Sequence, residues 1–344
     1  MMALIARVHD GHANLWSSLD VRPPRGGCRL PVALRFVEGK FVVGAYADSL
    51  LGRASGLQVG DVIQRLDGAP VESLFLAWAP YYGASNEAAR RYEIALSLTN
   101  GECGPCRVGG VRSSTPFEIA AVRDSTSRMS PWAGRRRDLP GEAFRLLDKD
   151  VAYLKLSSFA AADVPKYLEA AAGTRCLVID IRNYPRENSV FALGRHLVER
   201  PVPFVRWMDG DLANPGAFYL WPPVSLEPEA PHYTGRVVVL VDESSISHAE
   251  YTAMAFRAVP NALVVGSTTA GADGNVSRIP LPGGIRTMIS GLGIFYPDKT
   301  PTQRVGIVPD LVVRPTIEGI RSGRDEVLEA AVKRVLGREI TIPR

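Results

Sequence analysis

Apolar and polar positions follow two regimes along this chain. From about residue 30 to 122, apolar runs of four to eight residues ("LPVALRFVEGKFVVGAYADS", "GLQVGDVIQRLDGAPV", "RYEIALSLTNG", "TPFEIAAVRD") are broken by Glu-Gly, Asp67-Gly68 and Asn100-Gly101. Such pairs favour tight hairpin turns, so a small, mostly β domain is expected over 29–123. A polar, Arg- and Pro-containing connector opens the remainder, 124–344. There the continuous runs "VAYLKL" (151–156), "CLVIDI" (176–181), "FVRWM" (204–208), "RVVVLVD" (236–242) and "ALVVG" (262–266) alternate with helical stretches such as "ADVPKYLEAA" and "SVFALGRHLVE". Unbroken apolarity marks strands covered on both faces, which predicts an α/β layer domain closed by a helix over 325–337.

The segment "VDESSISHAEYTAMAF" (241–256) runs from a buried strand into a helix. Ser247, three residues before Glu250, reads as a capping box, which needs no chemistry beyond satisfying a helix start. The carboxyl end of such a strand is also where α/β sheets place ligands, and free N–H groups at a helix start can hold an oxyanion. Cap and nucleophile are therefore compatible at Ser247, with Ser244 and Ser245 as the neighbouring hydroxyls.

Composition narrows the function classes. A 46% hydrophobic, 22% charged chain of 344 residues has material for a sizeable core, and 40 basic against 36 acidic residues leave +4. Apart from Arg135-Arg136-Arg137 the charge is dispersed, so no phosphate-tracking surface and no nucleic-acid partner are expected. No run approaches the ~18–20 apolar residues of a membrane span, and the opening apolar run is too short for an export signal, so the chain as written is expected in the cytoplasm. Four cysteines are too few for a disulfide framework, and Cys103-x-x-Cys106 lacks a second pair for zinc, so no metal or cofactor is expected.

"SGLQVGDVIQRLDGAPV" (55–71) resembles the PDZ domain found in proteases. With "VAYLKLSSF", "VIDIRNYP", "VVVLVDESSISHAE", "NALVVGSTTAGADGN", "LPGG" and "VGIVPDLVV" following in order, nearly the whole chain resembles the C-terminal processing (tail-specific) and tricorn-core serine peptidase superfamily. The resemblance implies a ClpP/crotonase-like α/β protease core plus a small PDZ-like domain, polypeptide substrates, no cofactor, and a possible homo-oligomer. It places the nucleophile at Ser247. The tail-specific lysine, twenty-five residues on, is replaced by Ala272, and none of the six lysines falls in "GSTTAGADGN". The tricorn branch instead implies a histidine base, matched by His12 in "VHDGHANLW", with His9 second and His196 and His232 without a motif. An imidazole can take a serine proton near neutral pH. The resemblance further implies the His248 N–H and the Arg186 main chain as oxyanion donors and Gln303 as the third relay member. Substrate contacts are implied at Gly271 and along Leu30, Val32 and Leu34, where a peptide would add as a strand. "DIRNYPRE" (180–187) departs from the family's glycine-rich form, and Gln303 stands where a glutamate is usual. These departures leave two alternatives, a peptide-binding protein without turnover and an esterase on the same core. Residues 1–28 read as the remnant of a longer amino-terminal region, which would move the protein to an extracytoplasmic compartment.

Overall fold

The structure is a computed structural model that describes residues 1–125 and 134–342; residues 126–133 of the connector lie outside the described residues. Its larger half is built on a six-stranded sheet in the order Leu311–Val312, Leu263–Gly266, Arg236–Val241, Cys176–Asp180, Val151–Lys155, Phe144–Asp148. All neighbours are parallel except the last pair. Helices Val164–Ala171, Ser189–Gly194 and His248–Arg257 cover one face, packing Val239, Val241, Ala253 and Phe256 around Ala152, Leu154 and Leu156. Helix Glu326–Leu336 covers the other, over Val151, Tyr153, Val178 and Val238. Each fully buried aliphatic or aromatic side chain contributes about 1.5–3 kcal/mol, so both faces stabilise the sheet. Strand parity also settles Lys155. It follows Val151 and Tyr153 on the side away from helix His248–Arg257, and its Nζ donates to the Leu139 carbonyl at 2.7 Å.

The run at 204–208 does not join this sheet as expected. It lies in Val202–Gly210, which pairs antiparallel with Phe218–Leu220, Val224–Leu226 and Gly293–Phe295. Phe204 and Val205 are buried and Trp207 reaches solvent, so this sheet is only partly covered, unlike the six-stranded one.

The β domain is an antiparallel sheet ordered Val32–Val37, Lys40–Tyr46, Val62–Leu66, Gly104–Arg112, Thr115–Ser125, Cys28–Arg29, Asn100–Gly101, so Val32–Val37 is an edge strand. "RYEIALSLTNG", read as a strand, is mostly helix Glu87–Ser97. Tyr92, Ile94, Leu96 and Leu98 imitate a period of two, but Asn86 caps the Ala89 N–H at 2.9 Å and Glu87 pairs with Arg90 and Arg91 one turn on. Cys28 and Cys103 form a disulfide across 75 residues, a pairing the cysteine count did not suggest, while Cys106 is free and buried. The amino-terminal segment packs Met2, Ile5, Ala13 and Leu15 against Ile285 and Ile289 of the hairpin Val276–Leu281/Ile285–Ser290. That contact carries residues 9–14 to the junction of the two halves.

Candidate active site

Strand Arg236–Val241 ends at a turn whose serines are held differently. Ser244 Oγ donates to the Arg182 carbonyl (2.7 Å) and Ser245 Oγ to the Ile181 carbonyl (3.0 Å), so both hydroxyls tie the turn to the neighbouring strand end. Ser247 is half-buried and begins helix His248–Arg257 with φ 57° and ψ −122°. Helix starts show capping-box character here, yet ordinary capping residues adopt extended backbone. Positive φ at a residue with a Cβ is strained, and such strain gathers where a side chain must be presented to a ligand. Sharp strand-to-helix turns that expose a nucleophile are built this way.

Glu250 holds the turn from beneath. Fully buried, its carboxylate accepts from the Ser247 N–H (3.2 Å), the Gly271 N–H (2.7 Å), the Ala272 N–H (2.8 Å) and Thr269 Oγ1 (2.5 Å). Burial pushes its pKa up to about 7, against the pull of these four donors. Asp273 lies beside it, also raised by burial and by the Glu250 charge, with Oδ2 buried and without a partner among the described residues. Glu250→Ala leaves three main-chain donors, two of them buried, without an acceptor, and a loss of about 2–4 kcal/mol is expected from urea denaturation at pH 7.5. An unchanged denaturation midpoint would remove Glu250 from this supporting role.

Ala272 occupies the tail-specific lysine position, is buried, and faces the turn that carries His12. A Cβ placed on Gly11 would lie 3.0 Å from Ala272 Cβ and 3.1 Å from Ile246 Cδ1, so the turn fits because Gly11 has no side chain. On the other side, Gly83 lets the β domain approach the Ala13 carbonyl, and Ser85 Oγ accepts the Gly11 N–H at 2.9 Å. The amino-terminal turn thus fills the space beside Ala272, next to the residue that precedes Ser247.

The hydrogen bonds of His12 define its tautomer. Its Nδ1 lies 2.9 Å from Ser290 Oγ, whose single proton goes to Asp10 Oδ1 at 3.0 Å. The serine oxygen must therefore accept from His12 Nδ1–H, leaving Nε2 with a free lone pair. Asp10 is 9% exposed, also accepts the His12 N–H (2.9 Å) and the Ser290 N–H (2.5 Å), and stands 3.7 Å from His12 Nδ1. Burial lowers the His12 pKa below its usual 6.5, and Asp10 partly offsets this. His9 is exposed on the same turn at φ 55°.

The remaining expected residues are placed as follows. Gln303 Nε2 donates to the carbonyls of Asp273 (2.8 Å) and Leu292 (2.6 Å), bracing the loop under the site instead of meeting His12; the anionic partner of the imidazole is Asp10. The His248 N–H sits at the first helical position, which has no intrahelical acceptor, and makes no main-chain bond among the described residues. Its ring, lowered in pKa by burial, lies 6.3 Å from Tyr184 and 6.4 Å from Tyr251. The Arg186 N–H is bonded to the Leu156 carbonyl at 2.9 Å, so the expected oxyanion donor is already engaged. Gly271 is committed as well, its N–H to Glu250 and its carbonyl to the Arg304 N–H, so it supports the loop and leaves nothing for substrate. Leu30, Val32 and Leu34 are each at most 2% exposed in the β-domain core, so their side chains line no groove; within the edge strand Val32–Val37 only Arg35 and Phe36 are partly exposed. Asp10 lies within "VHDGHANLW", two residues before His12, where an Asx turn puts it. Ser290, 278 residues away, gave no local signal.

The strand-to-helix turn thus presents a half-buried serine on strained backbone, and the amino-terminal turn packed against Ala272 and Ile246 carries a histidine oriented through a hydroxyl to a buried carboxylate. Residues 208–313 match the model of peptidase family S41. Among solved structures, mature CPAF complexed with lactacystin aligns over 97% of this chain and 86% of its own at 17% identity and TM-score 0.69. A candidate peptidase from Parabacteroides merdae ATCC 43184 aligns over 56% of this chain and 64% of its own, just under two thirds of its length, at 23% identity and TM-score 0.52. At these identities the likeness concerns the fold. No curated protein matches the chain.

Proposed function

We propose that the protein is a serine endopeptidase in which His12 Nε2 removes the Ser247 hydroxyl proton as Oγ attacks the scissile carbonyl. The observation that carries this reading is the strained Ser247 turn, at φ 57°, whose preceding residue Ile246 packs against the turn of a histidine with a tautomer that leaves Nε2 basic. The C–N bond then breaks, the proton passes from Nε2 to the departing amine, and water hydrolyses the acyl-enzyme by the reverse relay. The His248 N–H donates to the oxyanion, and Asp10, through Ser290, steadies the imidazolium. With Arg186 engaged elsewhere, the oxyanion has one named donor. Loss of a single donor costs about 10²–10³ in kcat in comparable sites, so modest turnover is expected. Peptide cleavage measured beside ester cleavage tests the reading. Wild type should hydrolyse both and lose both on fluorophosphonate treatment, whereas ester hydrolysis alone would assign an esterase.

Peptide is captured by the β domain, acting as a PDZ-like module, as an added strand along the outer edge of Val32–Val37, where main-chain bonds supply affinity. Helix Glu87–Ser97 lies alongside and completes a groove. Hydrogen exchange with added peptide should slow amides within 32–37; slowing confined to 236–310 would make the domain a spacer. The Cys28–Cys103 disulfide favours an oxidising, extracytoplasmic compartment for this activity.

A further inference from the structure

Where the edge strand meets the α/β core, two cavities share a wall. One, of about 480 Å³, follows the strand and helix Glu87–Ser97 past Phe36 and Tyr92 to Arg314. The other, of about 220 Å³, is lined by Arg137, Asp242, Glu243 and Asp325; Arg35, Glu243 and Ser267 border both. Gly44 makes the second possible, because a Cβ there would lie 2.5 Å from Arg35 Cγ and Cδ, whose stem crosses the neighbouring strand.

The polar groups around this chamber do not balance. Arg182 is held by both oxygens of Asp180 and of Asp325, Arg324 pairs with Glu329, and Glu326 accepts from Thr316. Asp242 accepts from the Ser244 N–H, and Glu243 from Ser267 Oγ. The guanidiniums are left short. The Arg137 side chain is 4% exposed and approaches Asp242 and Glu243 only to 3.9 Å, with Nε and Nη1 buried and unpartnered among the described residues. Arg35 Nε is likewise buried without an acceptor, and no ion pair of Arg35 exists among the described residues. Buried guanidinium donors aimed into a cavity suit a planar or tetrahedral oxyanion.

We propose that Arg35 and Arg137 form an oxyanion site at this junction, filled by inorganic phosphate or by an acidic side chain of a peptide lying along Val32–Val37. The peptide source rests on the strand-addition reading above. Leu34 belongs to the β-domain core with Phe36 packed against it, while Arg35 faces the α/β core. An added strand alternates in the same way, so every second peptide residue faces the chamber, and a glutamate there meets the guanidiniums. Occupancy registers near the nucleophile, since Asp242 and Glu243 open the turn that leads to Ser247.

Calorimetric titration decides it with three probes: inorganic phosphate, an eight-residue alternating Val-Glu peptide, and its Val-Gln counterpart. Phosphate should bind wild type and weaken at least tenfold in both Arg35→Gln and Arg137→Gln. The Val-Glu peptide should exceed Val-Gln at least tenfold, with the ratio collapsing toward one in Arg35→Gln. Phosphate binding without peptide discrimination supports the site and assigns it to the free anion. Peptides bound equally, with no phosphate binding, overturn the site while leaving strand capture standing. If neither peptide binds, strand capture fails and the phosphate result alone decides the site. Should Arg137→Gln not fold, Arg35→Gln carries the comparison.

Discussion

Replacing Ser247 by alanine abolishes covalent labelling by a fluorophosphonate and all peptide hydrolysis, while the protein remains folded. Loss of a capping hydroxyl costs about 0.5–2 kcal/mol, which a domain of this size tolerates. Glycine at the same position separates the two roles of the residue. A residue that serves only as a cap loses a few tenths of a kcal/mol on change to glycine. At φ 57° glycine also relieves strain of roughly 1–3 kcal/mol, so Ser247→Gly should be inactive yet at least as stable as wild type. A melting temperature that falls on Ser247→Gly would mean that the backbone there is not strained and that capping is its main work. Labelling that persists in Ser247→Ala would point to Ser244 or Ser245, against the bonds that hold their hydroxyls to Arg182 and Ile181.

Removal of the His12 imidazole should lower the acylation rate by about 10²–10⁴, the usual range for a general base. His9→Ala should leave it near the wild-type value. Because burial lowers the His12 pKa, activity should fall with acid through a limb below pH 6.5 and be fully developed at neutral pH. Asp10→Asn removes the charge that favours the imidazolium, so the limb should move further down and kcat should fall. Ser290→Ala breaks the bond that sets the tautomer, and its kcat should fall with little change in KM. Lysine at 272 should not rescue His12→Ala, since that Cβ already abuts Gly11. Lys155 is an unsuitable substitute, being buried on the opposite face of the sheet and bound to the Leu139 carbonyl.

Much of this arrangement is legible in the chain because burial on both faces leaves a continuous signal. The strands at 151, 176, 236 and 263, and the turn that follows Val241, all declare themselves in this way. Helix Glu87–Ser97 is misread because its apolar residues also fit a period of two, and the cap and ion pairs that decide for a helix lie at its start. Val202–Gly210 is misplaced because a short apolar run does not say which sheet it joins. At the site, Ser247 and Glu250 are local and readable. The relay is not, since Ser290 meets His12 only through the hairpin that the amino-terminal segment packs on. The expected roles of Arg186 and Gln303 ran into main-chain acceptors at Leu156, Asp273 and Leu292, contacts that no spacing in the sequence encodes.

The central claim, that Ser247 is a nucleophile activated by His12, is tested most directly by the pH dependence of fluorophosphonate acylation, with the adduct located by peptide mass spectrometry, in wild type and His12→Ala. The account predicts a single adduct on Ser247, forming at a rate that rises through one limb below pH 6.5 in wild type and is slow, without that limb, in His12→Ala. An adduct on another serine, or the same limb and rate in His12→Ala, would contradict it.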